Sequence, residues 1–271
     1  MRIRVRHATT YEYDYPAAGV VQALRVVPSP HEGQDLLSWR VDVDVDGLLR
    51  VGRDAFGNCL HLFYAEEPLT CLTVRVTGEA ELRDTAGVIR GALEPLPIGV
   101  FLRETPLTAP DEALQDFAKS IPGADILDRL HTLMASLGER MGFDADATIV
   151  TTTAAQAFAA GHGVCQDYAH VFIAAARCLG APARYVSGHL ARPEADEQDA
   201  AHAWAEAFIP DLGWTAFDPV NGVCPDKHHL RVAVGLDYLD AAPLRGARRG
   251  GGDERLSVAV LAREAMRQRQ E

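Results

Sequence analysis

The sequence predicts an α+β fold with two domains: a β-rich N-terminal domain over residues 1–105 and a core over residues 106–271 in which a central helix packs on an antiparallel sheet. Three observations predict it. Apolar and polar residues alternate early in the chain, apolar residues recur about every 3.6 positions in the middle, and short β-type runs return after residue 182. Helices and antiparallel strands in separate stretches are typical of α+β proteins.

Strands are predicted in the N-terminal domain wherever apolar residues occupy every second position. The runs are Arg2–His7, Arg40–Asp46 and Cys71–Thr77. Each has one apolar and one polar face, as in an antiparallel sheet with one side in water. Asp46-Gly47 and Thr77-Gly78 are typical turn signals. We therefore expect a small β-sandwich or barrel-like domain.

Helices are predicted in the first part of the core. We expect four of them, over residues 111–119, 125–140, 153–160 and 165–179. Asp111 and Thr153 are residue types that cap helix N-termini. The second helix is amphipathic, whereas the fourth is apolar nearly all round. The fourth helix is therefore expected to be central and buried.

Strands are predicted again in the second part of the core, where short runs are bounded by Gly, Pro or charged residues. They are Ala183–Leu190, His202–Ile209, Gly213–Phe217, Arg231–Val234 and Leu256–Leu261. Gly250–Gly252 is expected to be a flexible loop between the last two. These strands supply the antiparallel sheet on which the central helix packs.

Composition limits the partners and the compartment. The net charge is −12, which argues against nucleic acid or an anionic membrane surface as a partner. The N-terminus does not resemble a signal peptide, and no run approaches the ~20 apolar residues of a membrane span. Five cysteines without a tight repeat indicate a reducing compartment. We expect a cytoplasmic protein, and the sequence leaves its oligomeric state open.

Cys165 is the strongest candidate for a functional residue. It follows Gly161 and Gly163 and opens the predicted central helix. A helix N-terminus carries partial positive charge and free N–H groups, which favour the nucleophilic thiolate. His202 and Asp218 follow on two predicted neighbouring strands. Nucleophile, general base and orienting carboxylate are the three parts that acyl transfer needs.

The strings around these three residues, GVCQDYA, HAWAEAF and GWTAFDPVNG, resemble the transglutaminase-like superfamily of papain-type thiol enzymes. The opening MRIRVRH and the string GRDAFGN resemble the N-terminal region of a bacterial subgroup. The resemblance implies a papain-like, transglutaminase-like core with Cys165 as nucleophile, His202 as acid and base, and Asp218 as its orienting partner. It also implies a thioester acyl-enzyme, a peptide or protein substrate and no cofactor.

Three functions are compatible with this pattern. Water as acceptor gives peptide or amide hydrolysis, an amine as acceptor gives protein-glutamine transamidation, and some relatives serve as non-catalytic binding modules. We expect hydrolysis, because a transamidase shields its thioester from water with aromatic side chains and only 7% of this chain is aromatic. An acidic run, Glu194–Asp199, is either a solvated surface or a feature that favours an amine-bearing substrate.

Metal binding competes for the same residues. The candidate ligands are His162, Cys165, His170, His202, Cys224, His228 and His229. Their spacings match no common zinc motif, and no run has the spacing of a calcium-binding EF-hand loop. We therefore predict no metal. The Cys165 backbone N–H is one expected oxyanion donor, and Gln156 and Gln166 are candidates for the second.

Overall fold

The computed structural model describes residues 1–145, 148–191 and 201–265. Six strands come first, namely β1 Arg2–Leu24, β2 Gln34–Val43, β3 Gly47–Arg53, β4 Cys59–Ala65, β5 Leu69–Leu82 and β6 Val88–Ile89. The core strands are β7 Gly142–Phe143, β8 His162–Gly163, β9 Ala183–Leu190, β10 His202–Ile209, β11 Gly213–Phe217 and β12 His229–Gly235. Two strands end the described chain, β13 Leu244–Gly250 and β14 Glu254–Glu264.

All helices except the short last one lie between β6 and β9 in the described chain. The helices are a 3-10 helix at Ile98–Leu102, then α1 Glu112–Ser120, α2 Ile126–Arg140, α3 Ala154–Ala160, α4 Cys165–Cys178 and the short α5 Tyr238–Ala241. The four predicted helices are confirmed, with Asp111, Asp125 and Thr153 as the N-caps of α1, α2 and α3. Among the described residues, no helix is both long and apolar enough to cross a lipid bilayer.

The larger sheet, called here the N-terminal sheet, is organised around the long strand β1. Its order is β2-β5-β1-β4-β3, and β13 and β14 also pair with β1. All pairings are antiparallel. The strand predicted at Arg2–His7 therefore continues to Leu24 and is nearly four times as long as predicted. The chain's last strands lie in the same sheet as its first one, so the expectation that Leu256–Leu261 belongs to the core sheet is wrong. The division into domains at residue 105 stays a prediction.

One local prediction in this sheet is wrong, and one of its strands was not predicted. Gly78 does not form a turn but lies inside β5, where a Cβ would come 2.1 Å from the Trp39 ring; glycine is needed there because the indole covers the strand. Strand β13 was not predicted, because its sequence, LRGARRG, has no apolar alternation. It is a strand because its backbone pairs with β1, and the turn after it contains Gly251 and Gly252 at positive φ.

The second sheet, called here the core sheet, has the order β12-β9-β10-β11-β6 and is antiparallel throughout. Helix α4 packs on it and is buried along almost its whole length. The predicted helix on an antiparallel sheet is therefore present. Strands make up more of the chain than helices do, so the α+β description is coarse.

Buried polar side chains hold these parts together. Arg177, near the end of α4, donates to the carbonyls of Phe101, Ala183 and Leu236 and to the Thr108 hydroxyl. Gln34 and Asn58 of the N-terminal sheet bond the backbone of β12 at Arg231 and Val234. A buried amide is costly to leave unpaired, so these bonds fix how the two sheets meet.

Candidate active site

Cys165 is the first residue of α4, and the glycines before it explain how the chain reaches that position. Gly161 ends α3 in the left-handed conformation, at φ 72°. Gly163 packs against the Asp167 side chain, where a Cβ would lie 2.6 Å from Oδ2. That oxygen accepts the Val164 N–H at 2.8 Å and the Thr148 hydroxyl at 2.6 Å. The Asp167 carboxylate therefore caps the helix and leaves the half-buried Cys165 thiol at its N-terminus.

His202 and Asp218 lie side by side, as the sequence predicts. His202 begins β10 and Asp218 follows β11, and these strands are neighbours in the core sheet. The His202 Nε2–H donates to Asp218 Oδ2 at 2.7 Å. The Asp218 side chain is fully buried, and that of His202 is 10% exposed. The pair can therefore orient one imidazole in a single tautomer, with Nδ1 left free to face the thiol.

Asp218 has two further partners that the sequence did not reveal. Asn221 donates from Nδ2 to Asp218 Oδ2 at 2.6 Å. His229 Nε2 lies 3.2 Å from the same oxygen, and its Nδ1 lies 3.2 Å from both the backbone nitrogen and Oδ1 of Asp226. Because the Asp218 carboxylate can only accept, the His229 nitrogen that faces it donates. Asn221 lies three residues after Asp218 in the string GWTAFDPVNG, so the sequence could have indicated it as a partner. His229 begins β12, and its contact with Asp218 depends on how the strands are arranged.

The protonation states follow from these contacts. Burial alone would raise the pKa of Asp218, but hydrogen bonds from His202, His229 and Asn221 hold that pKa well below its usual range. Burial alone would lower the pKa of His202, but the bond to Asp218 and a contact with the Cys165 thiol raise that pKa to about 9. The site therefore favours a carboxylate beside an imidazolium at neutral pH.

The thiol and the imidazole open onto the same cavity, which has a volume of about 740 Å³. Tyr185 and Ser187 of β9 line it from the core sheet. The opposite wall belongs to the N-terminal sheet, where the cavity is lined by His7, Thr9 and Tyr11 of β1 and by Leu256 and Val258 of β14. The cleft thus lies between the two sheets.

Two buried histidines stand where the sheets meet. His7 bonds the Thr9 hydroxyl at 3.0 Å, and its ring contacts that of His189 edge-on at 5.7 Å. Burial lowers the pKa of His7 to about 4 and that of His189 to about 3. Both rings are therefore neutral at neutral pH and add no charge beside His202.

A buried ion network supports the strand that carries His202. Glu206 of β10 bonds Arg184 at 2.6 Å and Arg231 at 2.7 Å, and it is fully buried. Arg184 also bonds Glu94 and lies over the Trp214 ring at 3.8 Å. Burial alone would raise the pKa of Glu206, but the two arginines lower it to about 2. The network joins β9, β10 and β12 within the sheet that carries His202.

The structure brings together only part of the predicted metal ligands. His202 and His229 meet Asp218, and their donor atoms lie within 4.8 Å of one another. His228 instead pairs with Asp226, and His170 Nε2 accepts the Tyr238 N–H. The nitrogens that face Asp218 already donate to its carboxylate, so a metal ion would have to replace those protons. The contacts among these three residues are those of a hydrogen-bonded cluster.

Of the two candidates for a second oxyanion donor, only one lines the cavity. Gln156 is exposed and completes the capping box of α3 with Thr153. Gln166 does line the cavity, and its Nε2 donates to the Val150 carbonyl at 3.1 Å. The acidic run Glu194–Asp199 lies outside the described residues.

Comparisons with known proteins agree with this architecture. The model of the transglutaminase-like superfamily matches residues 115–219, and the model of the bacterial transglutaminase-like N-terminal region matches residues 3–81. The first range contains Cys165, His202 and Asp218. The chain therefore belongs to the transglutaminase-like superfamily, and the resemblance inferred from the motifs is confirmed.

Relatives of similar length and similar fold exist. A protein of Mycobacterium leprae, described as uncharacterised, is 29% identical over 96% of this chain and 97% of its own length. A protein-glutamine gamma-glutamyltransferase of Pseudomonas aeruginosa is 33% identical over 33% of this chain and 15% of its own length. The crystal structure of a proposed cysteine protease from Cytophaga hutchinsonii superposes with a TM-score of 0.77 at 20% identity, covering 99% of this chain and 92% of that one. This last likeness shows that the fold extends over both sheets.

Proposed function

We propose that the protein is a thiol enzyme that cleaves peptide or amide bonds through the triad Cys165, His202 and Asp218. The observation that carries the proposal is the buried hydrogen bond between His202 and Asp218 at the mouth of the cavity that also contains the Cys165 thiol. A carboxylate held ionised, an imidazolium oriented by that carboxylate and a thiol at a helix N-terminus are the three parts of this chemistry.

Each step can be assigned to one of these groups. The Cys165 thiolate attacks the substrate carbonyl, and the His202 imidazolium gives its Nδ1 proton to the leaving amine. A thioester remains on Cys165. Water then attacks the thioester, His202 takes its proton, and the acid leaves while the Cys165 thiolate and the His202 imidazolium are restored. Asp218 stays ionised throughout and stabilises the imidazolium.

Hydrolysis is the outcome that we favour over transamidation. Water occupies about 30 Å³ per molecule in the liquid, so a cavity of about 740 Å³ has room for many molecules of the competing acceptor. The relative named as a gamma-glutamyltransferase favours the alternative, in which an amine takes the place of water. A non-catalytic binding module is the third function that remains to be tested.

Mass spectrometry of the intact protein tests the proposal. The protein is incubated with a glutamine-containing peptide amide, with and without an excess of a primary amine, and Cys165→Ala serves as the control. We expect a thioester adduct on the wild-type protein and hydrolysed peptide as the main product. A main product that carries the amine would establish transamidation, and equal behaviour of Cys165→Ala would overturn the thiol mechanism.

The binding-module alternative has its own test. Cys165 is half-buried, as is Cys178 in the same helix, but only Cys165 lines the cavity. A reactive thiolate at Cys165 is labelled by one equivalent of iodoacetamide near neutral pH, before any other cysteine. Slow labelling spread over several cysteines would instead support a protein that only binds its partner.

A further inference from the structure

The cleft beside Cys165 has an unusual composition for this chain. Asp, Glu, Lys and Arg make up 24% of the sequence, yet none of the described residues that line the cleft is one of them. The titratable bases on its surface are His7 and His202. A cleft for a charged substrate group would carry a partner of opposite sign, because a buried charge needs pairing.

Most of the cleft surface away from the thiol is apolar. Leu190 and Leu244 line it together with Leu256 and Val258 of β14. Val258 pairs with Thr9 across the N-terminal sheet, and Leu256 pairs with Tyr11. These strands therefore present one continuous wall of uncharged side chains, in which Leu256 and Val258 are aliphatic.

Polar side chains on the cleft surface are already bonded or are neutral. The Ser187 hydroxyl donates to the Ala241 carbonyl at 2.7 Å, and the Thr9 hydroxyl is bonded to His7. Burial keeps the His7 ring neutral by lowering its pKa to about 4. The positive charge of His202 is paired with Asp218. None of these groups is free to neutralise a charge on a bound molecule.

Three tyrosines supply hydroxyl groups that have no hydrogen-bond partner among the described residues. Tyr11, Tyr185 and Tyr238 all line the cleft, and the rings of Tyr185 and Tyr238 meet edge-on at 6.1 Å. Burial raises the pKa of each phenol above its usual value. The hydroxyls therefore stay neutral and can bond the amide groups of a substrate backbone.

We propose that this cleft selects acyl donors whose side chain beside the reacting carbonyl is uncharged and mainly apolar, and that the wall formed by β1 and β14 makes the selection. The proposal rests on the proposed acyl-transfer function, because it concerns the substrate of the same site. An apolar side chain gains from leaving water, whereas an ammonium or carboxylate loses its hydration here without gaining a partner.

Binding to the Cys165→Ala protein tests the selection without any chemistry. The probes are acetyl-alanyl-Xaa amides in which Xaa is norleucine, lysine, glutamine or glutamate. Norleucine and lysine share the same carbon chain, and glutamine and glutamate have nearly the same shape. We expect the norleucine peptide to bind at least about tenfold more tightly than the lysine peptide, and the glutamine peptide more tightly than the glutamate peptide. Equal or inverted affinities within either pair would overturn the proposal.

Turnover by the wild-type protein separates this proposal from the proposed function. The corresponding 4-nitroanilides are compared by kcat/KM. Turnover without the expected preference would overturn the selection and leave the thiol mechanism standing. Absence of turnover, together with the expected order of affinities in Cys165→Ala, would overturn the mechanism and support the selection.

A charge placed on the wall provides the third test. Val258→Lys and, nearer the solvent, Leu256→Lys each bring an ammonium to the cleft. In either variant the ratio of kcat/KM for the glutamate substrate to that for the glutamine substrate is expected to rise at least about fivefold. Val51→Lys is the matched control, since Val51 is 66% exposed on β3 and does not line the cleft. An unchanged ratio in both wall variants, or an equal change in Val51→Lys, would contradict the role given to the wall.

Discussion

The two walls of the cleft differ in how they handle charge. On the core side, His202 and Asp218 form an ion pair, and Glu206 bonds two arginines farther along the same strand. On the side of the N-terminal sheet, the lining side chains are uncharged and His7 is held neutral. The charged groups thus belong to the core sheet, on which the helix with the proposed nucleophile packs, and His202 is the member of this set that lines the cleft.

This difference has a physical reason. Charges assist a reaction only when they are fixed in place before it begins, and fixing them needs a partner for each polar atom. The core sheet provides those partners through β9, β10 and β12. A wall that only binds substrate needs area and shape, which apolar side chains supply. The comparison therefore assigns chemistry to one wall and selection to the other, and the following changes test that assignment.

The largest expected effect comes from the histidine of the core wall. His202→Ala removes both the base and the proton donor, so kcat is expected to fall by about 10⁴-fold or more. Asp218→Asn is expected to cost about tenfold less than that, because the ring stays in place and only its preferred tautomer is lost. Steady-state turnover of a peptide 4-nitroanilide measures both.

Thermal unfolding of the same variants provides the control. Each variant should keep a cooperative transition, so that lost turnover reports lost chemistry. A His202→Ala protein that is folded and retains ordinary turnover would remove His202 from the mechanism.

The second largest effect is expected in the buried ion network around Glu206. Glu206→Gln leaves Arg184 and Arg231 buried without their shared carboxylate, and breaking a buried pair in this way costs about 3–5 kcal/mol of unfolding free energy. Glu79→Gln is the matched control, because its pair with Arg4 is exposed and such pairs contribute about 1 kcal/mol or less. Urea unfolding at neutral pH measures both variants, and equal midpoints would contradict the importance given to the network.

Unfolding at acid pH tests the direction of the Glu206 effect. The pKa of Glu206 falls from 4.5 to about 2 in the folded protein. Its contribution to the unfolding free energy is therefore fully present above the pKa of the unfolded chain and is lost as the pH falls toward 2. The stability difference between the wild type and Glu206→Gln should therefore shrink between these two pH values.

The residues of the proposed triad could be picked out from the sequence because each lies in a local string with its own structural cause. Gly161 and Gly163 precede Cys165 since only glycine fits the turn and the close approach of Asp167. The helices were predictable for similar reasons, because a cap such as Asp111 or Thr153 and a 3.6-residue period are local signals. The core-sheet strands β9 to β12 were bounded by Gly, Pro or charged residues, whereas the edge strand β6 was not predicted.

The rest depends on contacts between distant parts of the chain. His229 reaches Asp218 only because β12 lies in the core sheet, and Glu206 is one of many acidic residues until its two arginines are placed beside it. Strand β13 has no apolar period and exists through backbone pairing with β1. The cleft itself could not be predicted, because its second wall comes from strands at the two ends of the described chain.

The pH dependence of turnover sharpens the comparison further. The pKa of His202 is raised to about 9, so the imidazolium that protonates the leaving amine is lost as the pH rises through that value. We expect kcat/KM to fall above about pH 9. In Asp218→Asn the hydrogen bond that raises the pKa is weakened, so the fall should move to lower pH. If kcat/KM falls at the same pH in both proteins, the group whose titration causes the fall is not His202.

The smallest expected effect lies on the wall of the N-terminal sheet. Leu256 is 56% exposed at the edge of the cleft, so only part of its side chain can be covered by a bound substrate. Leu256→Ala removes that contact equally from the ground state and the transition state. KM should therefore rise about two- to fivefold, with kcat nearly unchanged. Val51→Ala removes a side chain that is 66% exposed on β3, away from the cleft, and should change neither constant. A lower kcat in Leu256→Ala at unchanged KM would mean that this wall takes part in the chemistry, and the division of labour between the two walls would then be wrong.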